Sequence, residues 1–483
     1  MRRTRRTKIV ATIGPASDDA HVLRDMIEAG MDMARLSLAH GPVEATIDRL
    51  ARVRAAADEA GRVVGVLADL PGPKVRAASF VEGGVYVDVG AALTLVPASP
   101  GDRSDATHIA VDHATLLDEL VAGDRVALGD GGVLLTVEDV GATGARVRVL
   151  SAGRLEGRPG VNLPPERFTF ATPTPEDLRM LDVVAAAGVD AVAVSFVRDH
   201  RDIRAVKRAA GPDGPMVVAK IETRSAVEDV DAVIAESDGV MVARGDLGVR
   251  CALEDVPHHQ KRIIRAGVAY ARPVITATQM LESMIHAPTP TRAEVSDVAN
   301  AVFDGTSALM LSAETAIGRD PVNVIQTMSR IAERAERDFD HEGWGSRLGR
   351  QQVQAQASLD PTVRIVAAIS AAAWRAAAEV DVAAIIACTN SGATARAISR
   401  FRPTAPIIAA TPSPSTARRL SVAWGIDALV VDAHDTTDDI VWFAVQAAVE
   451  RGYVNSDDVV AVLVGSPREP RPTTDVLRLV RVH

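Results

Sequence analysis

Residues 216–248 read MVVAKIETRSAVEDVDAVIAESDGVMVARGDLG. Two short apolar runs, MVVAKI (216–221) and GVMVA (239–243), each run straight into charged residues: Lys220 and Glu222 at the first, Arg244 and Asp246 at the second. Runs of this length, apolar on both alternating faces, suit strands of a parallel sheet covered on both sides. The same texture recurs outward in both directions, at KIVAT (8–12), MDMARL (31–36), VVGVLAD (63–69), DAVAVSF (190–196), PVITAT (273–278) and SALML (307–311). Longer amphipathic stretches such as VEATIDRLARVRAAADEA and HHQKRIIRAGVAYA lie between most of them. Eight strands in this alternation predict an α/β fold, a closed (β/α)8 TIM barrel. An open doubly wound sheet has the same alternation, and closure is not legible in the sequence.

The count of eight works only with an insertion after the third strand. From about 75 to 165 the texture changes to short strands and glycine turns (VEGGVYVDVG, VAGDRVALGDGGVLLTV), which reads as an inserted all-β lid. The polar stretch HEGWGSRLGRQQVQAQASLD (341–360) has no clear periodicity and reads as a linker. Beyond it, VDVAAIIACT, PIIAAT, IDALVVD, VVAVLVG and VLRLVRV alternate with helical segments, as in a C-terminal α/β domain. The expected division is barrel 1–72 and 169–342, lid 73–168, and C-terminal regulatory domain 355–483.

Composition excludes several classes. A chain of 483 residues that is 47% hydrophobic is long and apolar enough for two or three packed domains, and rules out disorder. A net charge of −10 and 3% aromatic residues disfavour nucleic acid and anionic membranes. The start, MRRTRRTK, reads as a solvated basic tail running into the first strand. With no spanning segment, no leader pattern and two cysteines (Cys251, Cys388) far apart, the expectation is a soluble cytoplasmic protein.

Barrels of this kind keep their chemistry at the C-terminal strand ends. Those ends read Arg35, Asp69, Ser195, Lys220 with Glu222, Arg244 with Asp246, Thr278, and Ser312 with Glu314. Any one of them could be a cap or a solvated loop residue; a polar group at nearly every mouth position points to a site. Lys220 and Glu222, two apart, face the same side if the strand persists. Glu222 and Asp246, with no histidine or cysteine nearby, suit a hard divalent ion such as Mg2+ (or Mn2+). Arg35, Arg76 and Lys220 bring positive charge to it, an arrangement that stabilises a transferring phosphoryl group.

TKIVATIGPAS, AGMDMARLSLAHG, PGVNLP, MVARGDLG, ATQMLESMI, PTRAEVSDVANAV and LMLSAETA follow one another from residue 7 to 316, and in this the chain resembles the pyruvate kinase family. The resemblance implies phosphoryl transfer from phosphoenolpyruvate to ADP, a lidded barrel with a regulatory C-terminal domain, and a homotetramer. It implies that Lys220 neutralises the transferring group, Arg35 holds the phosphate, and Glu222 and Asp246 bind the metal. The backbone of Ala243, Arg244, Gly245 and Asp246 would take the substrate carboxylate. Thr278 would lie near the carbon that gains a proton, with Ser312 in the proton relay, and Arg76 and His40 would serve the nucleotide. A metal-dependent lyase acting on a related substrate and a catalytically silent relative are the rival readings. The lid with Arg35 and Arg76 argues against the first, and intact Lys220, Glu222, Asp246 and Thr278 against the second.

Three departures from the family pattern carry expectations. Potassium-dependent members hold the ion with R-L-N-F-S-H and an Asp-Thr pair. Here the segment is RLSLAH, with Ser37 and Ala39 at the ligand positions, and Leu70 follows Asp69. Lys74 stands where those members carry Glu, so a fixed ammonium paired with Asp69 is expected to replace K+. In the lid, Pro159 occupies the place of a nucleotide-binding lysine, with Arg158 just upstream either its substitute or a solvated loop charge, and GDGG retains a single acid, Asp130. In the last domain, Thr389, Ser391 and Gly392 of TNSGATAR form a loop that the family uses for phosphorylated effectors; alternatively Ser391 is a plain N-cap. Near the end, Pro472 to Asp475 replace a stretch that in the family usually contains glycine, and a stiffer loop there implies a different effector or none.

Overall fold

The computed structural model describes residues 4–73, 75–129, 132–164, 170–355, 361–465 and 473–483. Three barrel strands come first: β1 (Lys8–Thr12), β2 (Met33–Ser37) and β3 (Gly65–Leu70). Eight lid strands follow: β4 (Val85–Val87), β5 (Ala92–Pro97), β6 (His108–Val111), β7 (Arg125–Leu128), β8 (Val133–Val140), β9 (Ala145–Ser151), β10 (Gly153–Leu155) and β11 (Val161–Asn162). The barrel resumes with β12 (Ala191–Val194), β13 (Met216–Ile221), β14 (Gly239–Ala243), β15 (Val274–Ala277) and β16 (Ala308–Leu311).

The eight barrel strands pair in parallel in the closed order β1-β16-β15-β14-β13-β12-β3-β2, which decides between the barrel and the open sheet. Because β12 lies directly beside β3, the strands β4 to β11 between them are an excursion from the barrel, and the helix Pro175–Ala186 returns to pack on its core. That excursion builds a six-stranded sheet, β11-β7-β8-β9-β5-β6, and a β4-β10 pair around their own apolar core.

The period of two in each barrel strand sorts its side chains. Val10, Met33, Leu67, Ala193, Val218, Met241, Ile275 and Met310 fill the barrel interior. Their neighbours Ile9, Ala34, Ala68, Val192, Val217, Val240, Val274 and Leu309 face outward to the helices. Two residues on from the inward set stand Thr12, Arg35, Asp69, Ser195, Lys220, Ala243 and Ser312. Strand parity, together with burial of the layer below, aims this set into the mouth.

The last sheet runs β19 (Ile426–Val430), β18 (Ile407–Thr411), β17 (Ala384–Cys388), β20 (Val459–Gly465), β21 (Thr474–Arg481), with β21 antiparallel. Apolar clusters cover both of its faces.

Two expectations change. The stretch read as a linker forms the helix His341–Ala355. Leu348 is buried in the main core, Trp344 packs against it, and the Trp344 indole donates to the Arg400 carbonyl at 2.8 Å. A sparse stripe of two large side chains anchors this helix, too thin to register as amphipathic periodicity. The described part of the basic start, from residue 4, is docked rather than solvated, and residues 1–3 lie outside the described residues: Arg5 is buried and pairs with Asp32 at 2.8 Å, and the Arg6 amide donates to Glu336.

Candidate active site

At the end of β3, Asp69 is buried and holds two cations. Its Oδ2 accepts from Arg35 Nε at 2.8 Å and lies 2.7 Å from Nη2 of the same guanidinium, and its Oδ1 lies 3.3 Å from Lys220 Nζ. Arg35 is steadied by Thr12 Oγ1 at 3.1 Å. Lys220 donates to Ser195 Oγ at 2.6 Å and stands 3.7 Å from Glu222 Oε2. The Ser195 hydroxyl in turn donates to the Leu70 carbonyl at 2.7 Å. Gly72 packs close to this group: a Cβ there would sit 3.0 Å from the Ser195 Cβ and 2.9 Å from the Phe196 ring.

Burial acts on all three charges, with different results. It pushes the Asp69 carboxyl up, but Lys220 and Arg35 outweigh it and hold that carboxyl below the usual carboxylate range. Burial pulls the Lys220 ammonium down, yet Asp69 and Glu222 outweigh it and raise it above an ordinary lysine. For Glu222, burial prevails over Lys220, and Asp246 adds repulsion, so its pKa rises to about 7.

Glu222 is fully buried; its Oε1 accepts the Phe196 amide at 2.7 Å, and its Oε2 has no hydrogen-bond partner. A buried carboxylate with one orphaned oxygen, electrostatically coupled to a second carboxylate on the next strand end, has the donor chemistry for a hard divalent ion. Among the described residues no group of three or more His, Cys, Asp or Glu could enclose a metal. The residues therefore fit an ion that keeps open positions for water and substrate.

Across the mouth, β15 ends in a sharp turn. Thr278 and Gln279 have φ of 69° and 52°, left-handed values that a β-branched residue such as threonine adopts only under strain. Arg244 braces the turn, donating to the Thr278 carbonyl at 2.7 Å and the Ala277 carbonyl at 3.1 Å while pairing with Asp297 at 2.7 Å. Gly245 N–H donates to Thr278 Oγ1 at 2.8 Å. Arg244, expected at the substrate through its backbone, thus has a side chain engaged behind Thr278. Ser312, half-buried, begins the turn after β16, and buried Glu314 accepts from the Ser312 amide at 2.6 Å and the Leu281 amide at 3.2 Å.

The described contacts join Arg35, Asp69, Lys220 and Glu222 in one group and Arg244, Gly245 and Thr278 in a second. Arg76 and Arg158 lie together at the lid junction, where Arg76 Nη1 donates to the Arg158 carbonyl at 3.3 Å and Arg158 stands 3.6 Å from Asp112. His40 is exposed on the loop after β2. Lys74, Asp130 and Pro472 lie outside the described residues. The role of Ser195 as acceptor for Lys220 had no assignment in the sequence reading; the signal was a hydroxyl at the inward parity of β12. The brace from Arg244 to Thr278 left no signal in the sequence.

In the C-terminal domain, Gly392 precedes the helix Ala393–Ser399 at φ 79° and donates its N–H to Thr389 Oγ1 at 2.9 Å. The helix has no side-chain cap, so Ser391 is not its N-cap. Thr389, Ser391 and Thr394 line a cavity of about 1360 Å³ together with Thr473 and Thr474 of the facing loop.

Charged groups gathered at one end of a closed (β/α)8 barrel that carries an inserted all-β domain after its third strand define the class: a barrel protein with its candidate site at the strand ends. The barrel-domain model of the pyruvate kinase family matches residues 4–325, and that family's α/β-domain model matches 367–480. A pyruvate kinase of Methylorubrum extorquens is 40% identical over 482 residues, covering 100% of this chain and 98% of the relative. One of Agrobacterium vitis is 39% identical over 481 residues, covering 100% and 99%, and one of Clostridium acetobutylicum is 35% identical over 480, covering 98% and 99%. The chain belongs to the pyruvate kinase family.

Proposed function

We propose that this chain moves the phosphoryl group of phosphoenolpyruvate to ADP, giving pyruvate and ATP. The observation that carries the reading is the linked group Arg35–Asp69–Lys220–Glu222 at the barrel mouth, two cations and a metal-type carboxylate organised around one buried aspartate. In the transfer, the bond from phosphorus to the enol oxygen breaks, and a terminal β-phosphate oxygen of ADP bonds to the phosphorus. Lys220 and Arg35 meet the charge on the transferring oxygens in a site where burial strengthens their field. The enolate left behind keeps the electron pair and takes a proton at its methylene carbon, on the side of Thr278, with Ser312 in the relay. Backbone from Ala243 to Asp246 receives the substrate carboxylate. Glu222 and Asp246 hold Mg2+ (or Mn2+), which supplies further positive charge to the phosphoryl oxygens when bound.

Arg76, His40 and Arg158 serve the nucleotide from the lid side, and the loop of Thr389, Ser391 and Gly392 takes a phosphorylated effector. Lys74 replaces K+: Asp69 is the negative centre about which the cations of this site collect, and a further ammonium there would occupy the role of the monovalent ion. The domain division 1–72, 73–168, 169–342 and 355–483, the homotetramer and a cytoplasmic location belong to the same reading; among the described residues no helix is long and apolar enough to cross a membrane.

The test is pyruvate formation from phosphoenolpyruvate, ADP and Mg2+ in potassium-free buffer, then with potassium added. Full activity without potassium is expected, and Lys74→Glu is expected to remove it there. Activity only with potassium would keep the reaction and discard the role of Lys74. No activity in either buffer would overturn the reading.

A further inference from the structure

The cavity beside the Thr389–Gly392 loop also has a cationic wall, which adjoins the loop through Arg396. Arg272, on the barrel just before β15, and Arg396 and Arg400, on and just after the helix Ala393–Ser399, also line it. The same three arginines line a second cavity of about 20 Å³ with Trp424. Arg272 donates Nη2 to the Ala235 carbonyl and Arg396 donates Nη1 to the Ser391 carbonyl, both at 3.2 Å. Neither forms an ion pair among the described residues. The acids whose fields reach Arg272 are engaged elsewhere: Asp238 holds Lys207 at 2.8 Å, and Glu236 holds Arg204 at 3.0 Å. Asp231 and Asp432 line the cavity without pairing to Arg272 or Arg396. The Nε atoms of Arg272 and of nearby Arg419 are buried with no acceptor.

The like charges of Arg272 and Arg396 repel one another in a partly buried wall, and the Arg272 Nε–H finds no acceptor, while Arg400 donates Nη1 to the Ala269 carbonyl at 3.1 Å. Burial pulls the Arg396 guanidinium down to about 10, and the charges of Arg272 and Arg419 push the same way. An oxyanion entering from the cavity would relieve both costs, because guanidinium forks match planar or tetrahedral oxyanions with paired hydrogen bonds.

We propose that Arg272, Arg396 and Arg400 form a binding site for a small, multiply charged oxyanion that bridges the barrel and the C-terminal domain, held by guanidinium groups and not by the hydroxyl groups of the adjoining Thr389–Gly392 loop. An anion held there ties a residue of the barrel to two of the last domain, so its occupancy sets how tightly the two halves are coupled. The inference is independent of the reaction at the barrel mouth.

The tryptophans provide the readout: all four (Trp344, Trp374, Trp424, Trp442) lie at or beyond residue 344, and Trp424 shares a cavity with the three arginines. Tryptophan emission therefore reports on the junction rather than the barrel mouth. Inorganic phosphate and citrate are titrated separately into the full chain. A saturable change with either is expected, the better ligand telling a phosphate-type anion from a polycarboxylate. Arg272→Gln and Arg396→Gln are expected to weaken it by about tenfold or more, the loss of a charge-assisted bond, and Ser391→Ala is expected to leave it unchanged. Should a glutamine variant fail to fold, Arg396→Lys, which keeps the charge but not the fork, is expected to weaken binding severalfold. No saturable change with either anion would overturn the proposal. So would binding that is lost in Ser391→Ala but kept in Arg272→Gln, which would place the anion on the loop.

Discussion

Asp69 ends β3 with one carboxylate oxygen against Arg35 and the other 3.3 Å from Lys220, while Ser195 takes a hydrogen bond from the same ammonium at 2.6 Å. Removing that hydroxyl leaves Lys220 leaning on Asp69 and Glu222 alone. Ser195→Ala is expected to lower kcat for pyruvate formation about tenfold, from the loss of one hydrogen bond to a charged group. KM for phosphoenolpyruvate should change little, and Ser195→Thr should recover most of the rate. An unchanged kcat would remove Ser195 from the positioning of Lys220. Glu222 gives a pH prediction. Its folded-state pKa of about 7 lies above its ordinary 4.5, so the folded protein holds a proton that the unfolded chain has released. The resulting stabilisation is complete below the unfolded value and is lost as pH rises through about 7. In EDTA, the melting temperature should fall between about pH 6 and 8, while Glu222→Gln lacks that component of the slope. Equal slopes would refute the assignment.

Among the elements, the turn after β15 depends most on a distant side chain. Thr278 holds φ 69° because Arg244 fastens the Ala277 and Thr278 carbonyls while Asp297 fixes the guanidinium from behind. Arg244→Lys keeps a charge for Asp297 and loses the fork that reaches two carbonyls at once. It should cost about 2 kcal/mol of stability and lower kcat more than it changes KM for ADP. Calorimetry and steady-state kinetics would check both, and a variant with the parent's kcat would show that Thr278 does not need the brace. Glu314 plays the matching part after the neighbouring strand β16 by accepting two amides, so two adjacent strand ends at the mouth are held by side chains beyond the sheet ladder.

On the scale of the whole molecule, the barrel and the C-terminal domain are locked by a buried cation. Arg402 sits over the rings of Phe339, Trp344 and Trp424, at 5.3, 5.3 and 4.7 Å. It donates to the carbonyls of Gly305 and Thr306 ahead of β16. Arg418 pairs with Asp190 at 2.8 Å on another side of the same junction. Arg402→Ala would empty the aromatic cage and strand two carbonyls, a loss of about 3 kcal/mol. Urea denaturation followed by tryptophan emission should show it as a lower midpoint, because Trp344 and Trp424 report from the cage itself. A midpoint equal to the parent's would mean that the domains are held by other contacts.

Strand parity made much of this protein legible in advance. An inward-facing apolar residue followed two positions later by Arg35, Asp69, Ser195 or Lys220 is a local pattern, set by the period-two geometry of a strand and needing no partner to be read. So the barrel strands, the inserted β lid and most of the mouth residues could be named from the sequence, and the pyruvate kinase motifs rest on the same local order. Closure of the barrel, the union of Arg35 and Lys220 on Asp69, the orphaned oxygen of Glu222, the latch from Arg244 to Thr278 and the arginine-lined junction are different in kind. Each depends on residues from tens to more than a hundred positions apart meeting at a few ångströms. Such meetings follow from how the elements pack, and burial then sets what their charges do.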